Sequence, residues 1–171
     1  MIKICCIIIL VSFLFSCKQE NPNIHSDKVV ELQSVNTKEI QLDTSYTKIK
    51  LYVPIYSDIY QRTRLDKTLL TATLSIRNTS ERDSIFIKRV DYFNTRGSLV
   101  RKYLKSTVFL RPLETIEYVV EEKDTLGGSG ANFIVEYKAK ANATPLVQSV
   151  MIGGLANRSF AFMTEGIIVK E

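Results

Sequence analysis

The chain has 171 residues, a formal net charge of +5, and only seven glycines and four prolines. This length suits one domain with a leader or tail, and the low glycine and proline content excludes collagen-like and low-complexity architectures. The hydrophobic share of 45% and charged share of 24% are those of an ordinary globular protein. The moderate positive charge favours anionic surfaces but does not determine a fold.

Cysteine and histidine usage limits the chemistry that the chain can perform. The three cysteines are Cys5, Cys6 and Cys17, and the single histidine is His25. The remainder of the chain therefore has no disulfide framework and no cysteine- or histidine-based metal site. Ser-His-Asp and Cys-His nucleophiles are excluded for the same reason. We expect no cofactor and no metal ion.

Residues 1–16 are predicted to be a secretory signal peptide. Lys3 precedes an apolar run at residues 4–15, which as a helix would rise about 18 Å, less than the roughly 30 Å of a hydrocarbon core. A run of this length, followed by Ser16, is typical of a secretory signal and its cleavage site. The alternative is an ordinary signal peptide that is cleaved elsewhere.

The letters "LFSC" at residues 14–17 resemble the lipobox of bacterial lipoproteins. In that family the cysteine thiol receives a diacylglyceryl group, and cleavage then makes the cysteine the new N-terminus. The resemblance implies lipidation of Cys17 and a membrane anchor in the bacterial cell envelope, because two or three acyl chains hold a protein firmly to a bilayer. Which membrane and which face it occupies stays open.

Residues 17–48 are predicted to be the lipidated N-terminus and a flexible tether, because they are polar and irregular. The letters "VVELQSV" at residues 29–35 indicate one short strand or helical turn within it.

Residues 49–171 are predicted to form an all-β domain, because apolar and polar residues alternate with a period of two. The alternation is clearest in "LTATLSIRNT", "TIEYVVEE" and "NFIVEYKAK". Each run would have one apolar face and one polar face, as in antiparallel sheets with one side exposed to solvent. In "IFIKRVDYF" the phase changes near Lys88, which indicates a β-bulge. Further strands are expected at residues 50–54, 99–104, 107–110, 146–152 and 160–169. Short strands with regular turns predict an immunoglobulin-like antiparallel β-sandwich.

Several segments resemble the bacterial family known as domain of unknown function 3124. They are "YVPIYSDIY", "LTATLSIRNT", "DYFNTRGSLVRKYL", "LRPLETIEYVVEEKD", "GGSGANFIVEY" and "VMIGG". The likeness covers residues 49–169. It implies an exported or lipid-anchored protein and supplies no functional residues.

The glycine-rich loop "DTLGGSG" is the first candidate binding segment. Its candidate residues are Asp124, Gly127, Gly128, Ser129 and Gly130. Glycines with positive φ present backbone N–H groups that bind anions. The alternative is a hairpin connection between two strands. A phosphate-binding loop is not indicated, because neither a lysine nor a helix follows.

The segment "YVPIYSDIY" is the second candidate and contains Tyr52, Tyr56, Asp58 and Tyr60. The tyrosines are four residues apart, but Pro54 argues against a continuous helix. Tyrosine is favoured both in sandwich packing and at interfaces, so both roles stay open.

The sequence favours a non-catalytic binding or accessory module of the cell envelope with a protein or glycan partner. One alternative is a hydrolase that uses carboxylates at residues 121–124, and another is a sandwich that binds a small ligand or lipid between its sheets. Nucleic-acid binding is not expected, because the chain is exported and has no aromatic-basic platform. The sequence does not determine the oligomeric state.

Overall fold

The structure is a computed structural model that describes residues 44–169. The predicted signal peptide, Cys17 and the predicted element at residues 29–35 lie outside the described residues. In the described range, no helix has the length and hydrophobicity needed to cross a membrane. The strands are β1 (Tyr46–Ile55), β2 (Asp58–Tyr60), β3 (Lys67–Arg77), β4 (Ile85–Phe93), β5 (Leu99–Lys102), β6 (Val108–Leu110), β7 (Thr115–Val120), β8 (Ala131–Lys140), β9 (Leu146–Leu155), β10 (Arg158–Glu165) and β11 (Ile167–Ile168).

The strands form two antiparallel sheets packed face to face, which confirms the predicted β-sandwich. Sheet 1 has the order β11-β1-β8-β4-β5, with β6 also paired to β4. Sheet 2 has the order β10-β9-β3-β2, with β7 also paired to β3. A single hydrophobic core of residues from both sheets lies between them.

The inner strands pair as in an immunoglobulin sandwich, and the outer strands do not. Strands β3, β4, β7 and β8 take the places of strands B, C, E and F, because β3 pairs with β7 and β4 with β8. In an immunoglobulin domain the first strand lies beside B and the last beside F. Here β1 pairs with β8 and β9 pairs with β3, so these two positions are exchanged.

The predicted alternation matches the burial of side chains. Every apolar residue on the predicted inner face of β3 is completely buried, and these are Leu70, Ala72, Leu74 and Ile76. On β8 the same holds for the predicted set of Phe133, Val135, Tyr137 and Ala139, which are at most 2% exposed. The predicted bulge is also confirmed, since the register of β4 against β8 shifts between Ile87 and Arg89.

The structure differs from the predicted elements in three places. Strand β2 was not predicted, because three residues are too few to show a period. The segment at residues 160–169 is two strands, because the chain passes at Gly166 from sheet 2 to sheet 1, where β11 pairs with β1. The loop at residues 121–130 is not a hairpin, because β7 pairs with β3 in sheet 2 while β8 lies in sheet 1.

Candidate functional site

Three connections meet at one end of the sandwich and line a solvent-open pocket of about 450 Å³. They are the β2–β3 hairpin, the β4–β5 hairpin and the β7–β8 crossover. Strand β1 runs toward this pocket from the opposite end, where the preceding chain enters. We call these two ends the pocket end and the tether end. The pocket is lined by Asp58, Tyr60, Lys67, Asn94, Thr95, Arg96, Thr125, Leu126, Gly127, Gly128 and Ser129.

Two positions of the crossover require glycine, one because a neighbouring side chain leaves no room for a Cβ atom and one because of its backbone conformation. A Cβ atom on Gly127 would lie 1.8 Å from the hydroxyl oxygen of Tyr92. Gly128 has a φ of +79°, in the region that favours glycine. Tyr92 is completely buried beneath the loop, and burial raises the pKa of its hydroxyl to about 12. The crossover therefore lies directly on the core.

Hydrogen bonds within the chain use two of the three backbone N–H groups that a glycine anion site would offer. The Gly128 N–H donates to Ser57 Oγ at 2.7 Å, and the Ser57 N–H donates to the Gly128 carbonyl oxygen at 3.1 Å. The Gly130 N–H donates to Thr95 Oγ1 at 2.9 Å. These groups hold the crossover against its neighbours, so the geometry favours a structural role for the glycines over an anion site.

An ion pair crosses the β2–β3 hairpin at the wall of the pocket. Lys67 Nζ lies 2.8 Å from Asp58 Oδ1, and the Asp58 residue is 7% exposed. The same ammonium group lies 4.7 Å from the ring centroid of Tyr60, within the range of a cation–π contact. Its hydrogen bond to Asp58 raises the pKa of Lys67, so Lys67 is an ammonium ion at neutral pH.

The β4–β5 hairpin supplies the third wall and is shaped by Asn94. The Asn94 Oδ1 atom accepts hydrogen bonds from the N–H groups of Arg96 and Ser98, both at 3.0 Å. Gly97 has a φ of +76° in the same turn. Arg96 is exposed and lines the pocket. The motif "NTRGS" predicts this turn, but nothing in it indicates that Asn94, Thr95 and Arg96 face the glycine-rich loop.

Five of the residues predicted from the sequence line the pocket, and the others do not. The five are Asp58, Tyr60, Gly127, Gly128 and Ser129. Tyr52 lies in β1 opposite Ile134 and Ile167, and Tyr56 packs edge-on against Phe162 with ring centroids 5.8 Å apart. Gly130 donates the hydrogen bond to Thr95 that is described above. Asp124 is bound by Arg101, with Nη2 and Oδ2 2.9 Å apart.

The arrangement is suited to binding polar groups. Within residues 44–169 there is no cluster of three or more histidine, cysteine or acidic side chains that would hold a metal ion. A lysine acting as a general base needs a lowered pKa, and that of Lys67 is raised. Glu121 and Glu122 are exposed and do not line the pocket. The carboxylates considered for a hydrolase therefore do not converge there.

The fold and the pocket together define an antiparallel β-sandwich with a polar pocket at one end. The chain belongs to the family described as "Protein of unknown function (DUF3124)", whose model matches residues 48–169. No curated protein matches the chain. Among solved structures, the crystal structure of Thermotoga maritima 1070 is similar, with 15% sequence identity and a TM-score of 0.40. The match covers 70% of this chain and 92% of that one.

Proposed function

We propose that the protein is a lipid-anchored, non-catalytic binding module of the bacterial cell envelope, and that its pocket end holds a polar protein or glycan partner. The observation that carries this proposal is the convergence of three separate connections on one pocket. Five candidate residues from two distant segments line it. Ligand sites are concave and present a few convergent polar groups. The lipid anchor rests on the lipobox resemblance around Cys17.

The position of the pocket supports this arrangement. Strand β1 has ten residues and spans about 30 Å between the tether end and the pocket end. An anchor at the tether end therefore leaves the pocket free to meet a partner away from the attachment point.

The anchor is tested with Cys17→Ala, and Cys6→Ala is the matched control within the leader. We expect Cys17→Ala to lose palmitate labelling and to accumulate as the uncleaved precursor, because the thiol that is acylated is gone. Cys6→Ala is expected to be labelled and processed normally. Labelling, gel mobility and membrane fractionation measure this. A processed, labelled Cys17→Ala protein would contradict the anchor.

The pocket is tested by site-specific photocrosslinking in living cells. A photoreactive residue replaces Leu126, which lines the pocket and is 65% exposed, or Leu113, which is 66% exposed in the β6–β7 turn at the tether end. We expect Leu126 alone to capture a discrete partner, and Arg96→Ala to reduce that capture at least several-fold. Mass spectrometry identifies the product. Identical capture from both positions would count against the pocket.

A further inference from the structure

The outer face of sheet 1 carries a cluster of basic side chains close to the tether end. Directly opposite residues of an antiparallel pair share a face. Lys138 on β8 lies opposite Lys48 on β1, and on the other side of β8 it lies opposite Phe86 on β4. Lys88 lies in the bulge of β4 beside them. We call Lys48, Lys88 and Lys138 the lysine face.

Like charges on this face are held together at a cost. Two lysines directly opposite each other across a sheet repel and destabilise the pair. The pKa of Lys88 is lowered, first by partial burial and then by the positive charges of Lys138 and Lys48. Surface positions of this kind tolerate neutral residues, so the folding of the domain does not explain three neighbouring ammonium groups.

Among the described residues, the carboxylates beside the lysine face pair with Lys48 and Arg89. Glu136 is shared between two cations, with Lys48 Nζ at 2.8 Å from Oε2 and Arg89 Nη1 at 3.1 Å from Oε1. The same Arg89 binds Asp91, with Nε and Oδ2 2.7 Å apart. Within residues 44–169, Lys88 and Lys138 form no ion pair, so the positive charge of the lysine face that remains for a ligand is carried by these two side chains.

An aromatic pair adjoins the lysine face at the tether end. The rings of Tyr46 and Phe86 meet edge-on with centroids 5.5 Å apart, and Lys140 Nζ lies 5.7 Å from the Tyr46 ring. Both aromatic residues are half-buried. Aromatic rings beside lysines are typical of surfaces that lie at the headgroup level of a bilayer.

We infer that the lysine face docks the domain onto an anionic phospholipid bilayer. The occupant follows from charge complementarity and from where the chain enters: the tether end lies next to the face, and residues 18–43 span at most about 90 Å from Cys17. This rests on the proposed function in one respect, since the anchor brings the domain to the bilayer. The lysine face then determines how the domain is oriented on the bilayer, with the pocket end away from the lipid.

Vesicle sedimentation tests the docking without acylation, using residues 18–171, which contain every described strand. We expect binding to vesicles of 30% phosphatidylglycerol in phosphatidylcholine, little binding to pure phosphatidylcholine, and loss of binding at high salt. Lys88→Gln/Lys138→Gln should weaken binding roughly 25-fold, because each lysine near an anionic surface contributes about fivefold. Its unfolding midpoint should stay equal or rise, because repulsion is removed.

The matched control is Lys123→Gln/Arg158→Gln, which removes the same charge from exposed positions in the β7–β8 crossover and in β10 of sheet 2. We expect less than a twofold loss. Equal losses in both pairs, or no binding to the anionic vesicles, would overturn the proposal. Binding of soluble polyphosphate through the same lysines without vesicle binding would also overturn it. None of these outcomes depends on Cys17, so the anchor and the docking fail separately.

The orientation has its own test, because the chain contains no tryptophan. A single tryptophan is introduced by Phe86→Trp at the tether end or by Tyr60→Trp at the pocket end. With brominated anionic lipids we expect strong quenching of the first and almost none of the second. Equal quenching of both would contradict the orientation.

Discussion

At the scale of single residues, Gly127 shows why the crossover requires glycine. The Tyr92 hydroxyl oxygen occupies the space that a Cβ would need, and Tyr92 itself is enclosed by the core. A side chain at position 127 therefore displaces either the loop or the ring. The glycine run suggested a binding loop from the sequence alone, whereas the contact that explains Gly127 comes from a residue 35 positions earlier in the chain.

Gly127→Ala is expected to destabilise the protein by about 1–3 kcal/mol, the usual cost of forcing an extra methyl group into a packed site. Gly154→Ala is the control, because the nearest atom to its added Cβ is 3.9 Å away. Combining Gly127→Ala with Tyr92→Phe removes the closest atom and should recover part of the loss. Urea denaturation measures all three. Equal stability of the two alanine variants would refute this account.

At the scale of elements, cross-strand ion pairs join three neighbouring strands of sheet 1. Glu136 on β8 binds Lys48 on β1 and Arg89 on β4. The hydrogen bond from Lys48, and to a smaller extent that from Arg89, lowers the pKa of Glu136 below its ordinary value of 4.5. These contacts follow from the register of the strands, which the alternating pattern does not specify.

The lowered pKa gives the stability a pH dependence of defined sign. The contribution of Glu136 is fully present above the ordinary pKa of 4.5 and is lost as the pH falls through the lower folded value. Glu136→Gln is expected to flatten this acid limb of the stability curve while the protein stays folded at neutral pH. Urea unfolding of both proteins between about pH 2.5 and 7 provides the comparison. Parallel curves would show that the pairs contribute nothing.

At the scale of the whole molecule, residues from both sheets form one core, so we expect the two sheets to unfold together. Leu74 is completely buried in this core, whereas Val119 is 48% exposed on the outer face of sheet 2. Cooperative single-transition unfolding is the usual behaviour of a domain of this size.

Leu74→Ala is expected to lower the free energy of unfolding by 2–5 kcal/mol, through lost burial and the cavity left behind. Val119→Ala, the control with a small exposed change, should stay within about 0.5 kcal/mol. Circular dichroism and tyrosine fluorescence should give coincident transitions for both variants. Separate transitions would mean that the sheets unfold independently.

What the sequence determined by itself is local. Alternation with a period of two revealed the strands, the inner faces of β3 and β8 and the bulge in β4. Successive residues of a strand face the core and the solvent in turn, so a few residues are enough to show the pattern. The absence of cysteine and histidine after residue 25 excluded whole classes of chemistry. The family resemblance is confirmed as well. The leader and the lipid on Cys17 stay predictions.

Only the tertiary structure decided which distant segments meet. Pairing depends on contacts between residues far apart in the chain, so no local pattern showed that β1 and β9 exchange their immunoglobulin places. The same holds for the pocket, where Asp58 and Tyr60 meet Ser129 and Arg96 because the crossover passes between sheets. It holds also for the lysine face, where Lys48, Lys88 and Lys138 come from three strands. A side chain's neighbours across a sheet depend on register, and register belongs to the fold as a whole.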